Sequence, residues 1–132
     1  MEPEGVVDVL RRLLRSLVPA GLVVDLLSVP PPEQVEIAGE VVGELDNDAF
    51  FAHALPAAAG LDALADDGLL VPEHEERFPI YVHYPTGADL VGDVTQREDT
   101  RMPPSLARRV RRHPGPCRIR DSCLVRRFRA LP

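Results

Sequence analysis

The strongest constraint on the fold is a junction near the start of the chain. Val6, Val9, Leu10, Leu13, Leu14 and Leu17 recur at helical spacing, with Asp8, Arg11, Arg12 and Arg15 between them. That pattern predicts an amphipathic helix over residues 3–17. Val18-Pro19-Ala20-Gly21 stops it, because proline and glycine cannot continue a helix cheaply. Residues 22–29 (LVVDLLSV) then read as a strand, apolar on both faces apart from Asp25 and Ser28. A strand of that kind is expected to be covered on both sides, as in an α/β sheet. Pro30-Pro31-Pro32 closes it as a stiff extended segment. At 132 residues the chain is expected to form one domain over 1–132, with a core that needs no staples.

The rest of the chain alternates in the same manner. Val35 and Ile37 flank Glu36, and Gly39 suits a tight turn, so residues 34–45 predict a hairpin. In that reading Glu36 faces water and a lysine there is tolerated. Asp46 or Asn47 caps a helical stretch carrying Phe50, Phe51, Ala54, Leu55, Ala58, Leu61 and Leu64. Pro56 is expected to kink or split it, and Asp66-Asp67-Gly68 to end it. Phe78, Ile80, Val82 and Tyr84 alternate with Pro79, Tyr81 and His83, which predicts a strand over 77–84. Thr86 caps a short helix, and Pro103-Pro104 opens another over 105–110. Residues 117–131 read as a last strand, with Ile119, Asp121 and Cys123 on one face and Leu124, Arg126 and Phe128 on the other.

The order helix, Leu17-Val18-Pro19-Ala20-Gly21, strand, helical region, strand, helix, strand resembles the C-terminal half of a class I S-adenosylmethionine-dependent methyltransferase. The stretches 81–90 (YVHYPTGADL) and 117–124 (CRIRDSCL) also resemble the tails of bacterial methyltransferase-like proteins. The resemblance covers nearly all of the chain but about half of the family's domain. It implies a partial Rossmann-like α/β fold, a mixed sheet with helices and an inserted β-hairpin. It further implies that 22–29, 77–84 and 117–131 are the family's last three strands, the final one running antiparallel between the other two. Pro19-Ala20-Gly21 departs from the family's Pro-Gly-Gly. No glycine-rich loop follows a strand, and no acidic residue stands where the family holds the cofactor's ribose. The expectation is therefore no cofactor for this chain alone, and S-adenosylmethionine only if a partner chain completes the site.

Charge is unevenly placed within a net −6. Residues 1–100 hold five arginines against 20 acidic residues, whereas residues 101–132 hold ten arginines against Asp121 alone. The basic end is expected to dock on the acidic body. Phosphate tracking by these arginines is the disfavoured reading, since the chain lacks Trp and only Phe128 lies among them for stacking on bases. Cys117 and Cys123 in one strand stand about 20 Å apart at ~3.3 Å per residue. A disulfide needs Cα atoms within about 7 Å, so reduced thiols and a cytoplasmic setting are expected. No apolar run reaches the ~18 residues of a membrane span, and Met1-Glu2-Pro3-Glu4 lacks the basic start of a signal peptide.

Candidate chemistry is sparse. His53, His74, His83 and His113 form no paired ligand spacing, so no metal is expected. No nucleophile elbow is present, and no catalytic residue is assigned. His83, with Tyr81 and Tyr84, lies at the C-terminal end of a strand, where ligands gather in open α/β sheets, and is the candidate ligand-facing group. Leu22, Val24 and Leu26 form the candidate association edge, because the strand that would neighbour them in a complete methyltransferase belongs to the missing half. Three remedies for that edge are open: the hairpin folds back on it, a second copy pairs across it as a homodimer, or a protein partner supplies the strand. The leading expectation is thus a non-catalytic half domain acting in protein association. A subunit of a split methyltransferase is the alternative, and a nucleic-acid accessory protein a lesser one.

Overall fold

A computed structural model describes Val9, Arg11, Arg12 and residues 20–131. The helix expected over 3–17 lies outside the described residues except for those first three, which are helical. The described elements are β1 (Leu22–Ser28), β2 (Gln34–Ile37), β3 (Glu40–Glu44), α1 (Asp48–Asp66), β4 (Leu70–Tyr84), α2 (Gly87–Thr95), α3 (Pro104–Arg111) and β5 (Cys117–Ala130). The chain is α/β, with a five-stranded sheet of order β1-β5-β2-β3 and β4 also paired to β5.

The sheet is mostly antiparallel. β2 pairs antiparallel with β3 and with residues 118–120 of β5. The amide of Val29 donates to Ser122 O and that of Ala130 to Gly21 O, each at 2.8 Å, so β1 runs antiparallel to β5 and Asp25 stands opposite Arg126. Leu131 donates to Leu69 O and Gly87 to His113 O, which sets β4 antiparallel to β5 as well. β5 therefore has β1 and β4 as antiparallel neighbours, but the hairpin strands extend the same antiparallel pattern, and that fits a methyltransferase sheet poorly.

Two compact units are present, one of Met1–Leu27, Ala52–Arg77 and Leu124–Pro132, the other of Ser28–Phe51 and Phe78–Cys123. The first has a core of Leu61, Leu64, Leu70, Phe128 and Ala130, with Val23 and Ala65 packed on it. The second has Val35, Leu45, Leu90, Val91, Val94, Leu106, Val110, Cys117 and Ile119. Each fully buried aliphatic side chain contributes roughly 2 kcal/mol relative to exposure. Gly87 matters to the second core, because a Cβ there would overlap the Val110 carbonyl and hold α2 off α3.

Local signals explain most boundaries. Thr86 Oγ1 accepts from the Asp89 amide at the start of α2. Pro103-Pro104 starts α3. Gly68, at φ +77°, ends α1 while Leu69 donates back to Leu64 O at 3.0 Å. Ala38 and Gly39 both take positive φ in the β2–β3 turn, the twist such two-residue hairpins need. Ala20 also sits at φ +63°, in the left-handed region that favours glycine.

Five expectations need correction. Residues 22–28 do form a strand, but it is not covered on both sides: Leu22, Val24 and Leu26 are 47%, 65% and 58% exposed. Among the described residues β1 pairs with β5 alone, so its apolar content marks an open strand rather than a buried one. Of the two outcomes expected at Pro56, a kink or a split, the split does not occur: α1 is continuous over 19 residues, since one missing N–H removes a single helical bond. β4 begins at Leu70, not 77. Its acidic first half lacks apolar alternation and is held by arginines across the strand pair. Glu36 does not face water; it is 6% exposed and paired with Arg118, opposite it on β5. The hairpin, expected as one possible cover for β1, pairs with β5 instead.

Candidate functional site

β4 does not bring Tyr81, His83 and Tyr84 to one place. Tyr81 and His83 lie side by side with ring centroids 6.5 Å apart, both exposed. The Arg118 guanidinium stands 4.0 Å over the Tyr81 ring, a cation–π geometry, and its Nη2 is 2.7 Å from Glu36 Oε1. Tyr84 points away from them, packs against the core of the second unit and donates its hydroxyl to Asp93. Burial, then the Asp93 carboxylate, pushes the Tyr84 phenol up to about 12. It is thus a neutral packing residue at ordinary pH.

The second unit contains a better-formed recess that the sequence did not announce. It has a volume of about 240 Å³ and is lined by Ser28, Glu33, Asn47, Phe50, Phe51, Val82, Arg97, Asp99, Thr100 and Asp121. The recess is built around Asn47, which is 2% exposed. Its Oδ1 accepts from the Glu33 amide at 2.7 Å, and its Nδ2 donates to Glu33 Oε1 at 2.9 Å and to Thr100 Oγ1 at 3.2 Å. Arg97 Nη1 donates to both Glu33 oxygens at 3.1 Å. Burial alone would lower the Arg97 pKa, but the Glu33 carboxylate outweighs it and the net shift is upward. Phe50 and Phe51, edge to face with centroids 5.5 Å apart, form the apolar wall.

Chemically this recess is locked rather than poised. Glu33 is engaged by a cation and an amide, which suits a structural carboxylate and not a general base. Asp121 accepts from Ser28 Oγ at 2.8 Å. Cys123, buried nearby, has its thiol pushed up to about 11, by burial first and by Asp121 second. Cys117 is also raised, by burial and by Asp89. Both cysteines are free and buried, so neither is a ready thiolate. Among the described residues no group of three His, Cys, Asp or Glu side chains is placed to hold a metal ion. No described helix is long and apolar enough to cross a membrane.

The first unit has a shallower hollow of about 270 Å³ beside Asp62, Glu73, His74 and Arg126–Phe128. Ion pairs dominate it. Arg129 Nε is 2.8 Å from Glu73 Oε2, and Arg127 Nε is 3.4 Å from Glu73 Oε1. The Arg129 hydrogen bond holds the Glu73 carboxyl below its ordinary range despite an opposing desolvation effect. Much of the basic end is thus engaged by acidic residues earlier in the chain, as its charge pattern suggested.

Leu22, Val24 and Leu26 share one exposed face of β1, and the strand's outer edge has no described partner. No protein-family model, curated protein or solved structure matches the chain.

Proposed function

We propose that this chain is a methyltransferase-like half domain that performs no chemistry alone and acts by association, through β1, with a second copy of itself. One observation carries the reading: alternate large apolar residues on β1 are exposed in a strand with β5 as its single described neighbour. An edge of that composition offers unpaired backbone groups and apolar surface together, and both are satisfied by pairing. Closed twofold pairs are the commonest assemblies, and antiparallel pairing of two β1 edges generates one. Sedimentation equilibrium across micromolar concentrations tests this. The expected result is a dimer that Val24→Lys converts to monomer, whereas Glu40→Lys, on the exposed hairpin tip, leaves it intact. A wild-type monomer throughout that range sinks the reading.

A second reading has its own support. β5 lies between β1 and β4 in the first unit's pairing and is antiparallel to both, the order expected of the last three methyltransferase strands. On that reading a separate chain supplies the missing strand to the β1 edge and brings the S-adenosylmethionine site with it. Pull-down from the native host, followed by calorimetric titration of the complex with S-adenosylmethionine, separates the two. Saturable binding by the complex and none by the isolated chain favours the split enzyme.

A further inference from the structure

Eight of the ten arginines in residues 101–132 fall into two groups. Arg118, Arg126, Arg127 and Arg129, all on β5, are bound to Glu36, Asp25, Asp62 or Glu73. Arg108, Arg109, Arg111 and Arg112, on α3 and its C-cap, are all exposed and have no carboxylate within ion-pair distance among the described residues. Leu106 and Val110, 7% and 0% exposed, anchor the opposite side of the helix in the core, so the guanidinia are held on a fixed outer surface. Four cations exceed what the roughly half charge of a helix C-terminus calls for.

We infer that the α3 face binds the phosphate backbone of duplex nucleic acid. The guanidinium fork matches phosphate oxygens, and clustered arginines release the counterions that a polyphosphate condenses. A protein partner fits less well. Protein interfaces rely on a desolvated apolar or aromatic centre, and no large hydrophobic residue between Tyr84 and Ala130 is exposed. The scarcity of aromatic residues argues against single strands, which are bound by stacking, and has no bearing on a duplex backbone. The contact carries no base readout, so it is independent of sequence and strongly dependent on salt.

Fluorescence anisotropy with a labelled duplex, read from about 20 to about 200 mM salt, tests this on the full chain. Four phosphate contacts give a slope of log affinity against log salt of about −3.6. Arg108→Gln with Arg112→Gln should shrink that slope by about 2 units. Arg127→Gln with Arg129→Gln changes net charge equally and should leave the slope unaltered. Matching melting curves for the two doubles show that neither result comes from unfolding. The inference is overturned by absence of binding at the lowest salt, by equal slopes in the two doubles, or by tighter binding to polyglutamate or to phosphatidylserine vesicles than to the duplex.

Discussion

Arg126 and Asp25 face each other across the β1–β5 pair, with Nη2 2.7 Å from Oδ2, and Arg126 is only 8% exposed. The same guanidinium donates to Asp62 at 2.9 Å and to the Ala58 carbonyl at 3.0 Å, so it ties β1, β5 and α1 together within the first unit. Its two carboxylate partners differ in exposure, 20% for Asp25 and 60% for Asp62. Removing one partner of a buried pair costs about 3 kcal/mol, whereas an exposed pair is worth about 0–1 kcal/mol. Urea denaturation should therefore show Asp25→Asn losing roughly 2–3 kcal/mol and Asp62→Asn less than about 1 kcal/mol. Equal losses would mean that the β1 contact is no stronger than the surface one.

Both thiols should resist alkylation in the folded protein. Cys123 is held up to about 11 by burial and Asp121, and Cys117 is raised from its ordinary value by burial and Asp89. The nucleophile is the thiolate, and little of it exists near neutrality at either position. Iodoacetamide mass labelling at pH 8 is expected to leave both unmodified for hours and to modify both rapidly in urea. Fast labelling of either in the native state would show that its strand opens locally.

Much of the second unit was legible from sequence because its signals are local. Thr86 and Pro103-Pro104 mark helix starts by chemistry that acts within one turn, and the Ala38-Gly39 turn does the same for the hairpin. β5 was readable from alternation alone: Ile119 and Cys123 are buried in one unit, Leu124, Arg126 and Phe128 in the other. The failures share a cause. Whether Leu22, Val24 and Leu26 are covered depends on what lies beside β1, and apolar content is the same in either case. The first half of β4 has glutamates where a strand legible by alternation needs apolar residues, and Glu73 is neutralised by Arg127 and Arg129, more than 50 positions away. The recess is less legible still. Glu33, Asn47, Arg97 and Thr100 come from separate segments at spacings that match no motif, and Asn47 read only as a helix cap.

Tyr84 gives a titration that reports on α2 packing. Its phenol moves from an ordinary 10 to about 12, through burial and the hydrogen bond to Asp93. The raised value means that the fold favours the neutral form. Its contribution to stability is complete below pH 10 and is lost as pH rises from 10 toward 12. Tyr84→Phe should remove the phenolate absorbance step near that upper value and flatten the alkaline fall in stability. A wild-type titration with no step near 12 would show that Tyr84 is neither buried nor bonded to Asp93 in solution.

Glu36 supplies the sharpest test of how the hairpin is held. It is opposite Arg118 in the β2–β5 register, 6% exposed, and accepts from Arg118 Nε at 2.8 Å and Nη2 at 2.7 Å. Arg118 in turn lies over Tyr81, so one guanidinium spans β2, β5 and β4. Glu36→Lys places a second cation against the half-buried Arg118 and should cost about 2–3 kcal/mol, toward the low end for breaking a buried pair. Glu36→Gln keeps the shape and one acceptor but loses the charge, and should cost about 1–2 kcal/mol. A lysine at Glu40, exposed at the far end of the same hairpin, should change stability by less than about 0.5 kcal/mol. Hydrogen exchange adds a local readout: in Glu36→Gln the amides of β2 should lose protection while those of α1 keep theirs. Uniform loss in both would instead place Glu36 in a globally cooperative unit, and unchanged protection would mean that Arg118 and Glu36 do not meet in solution.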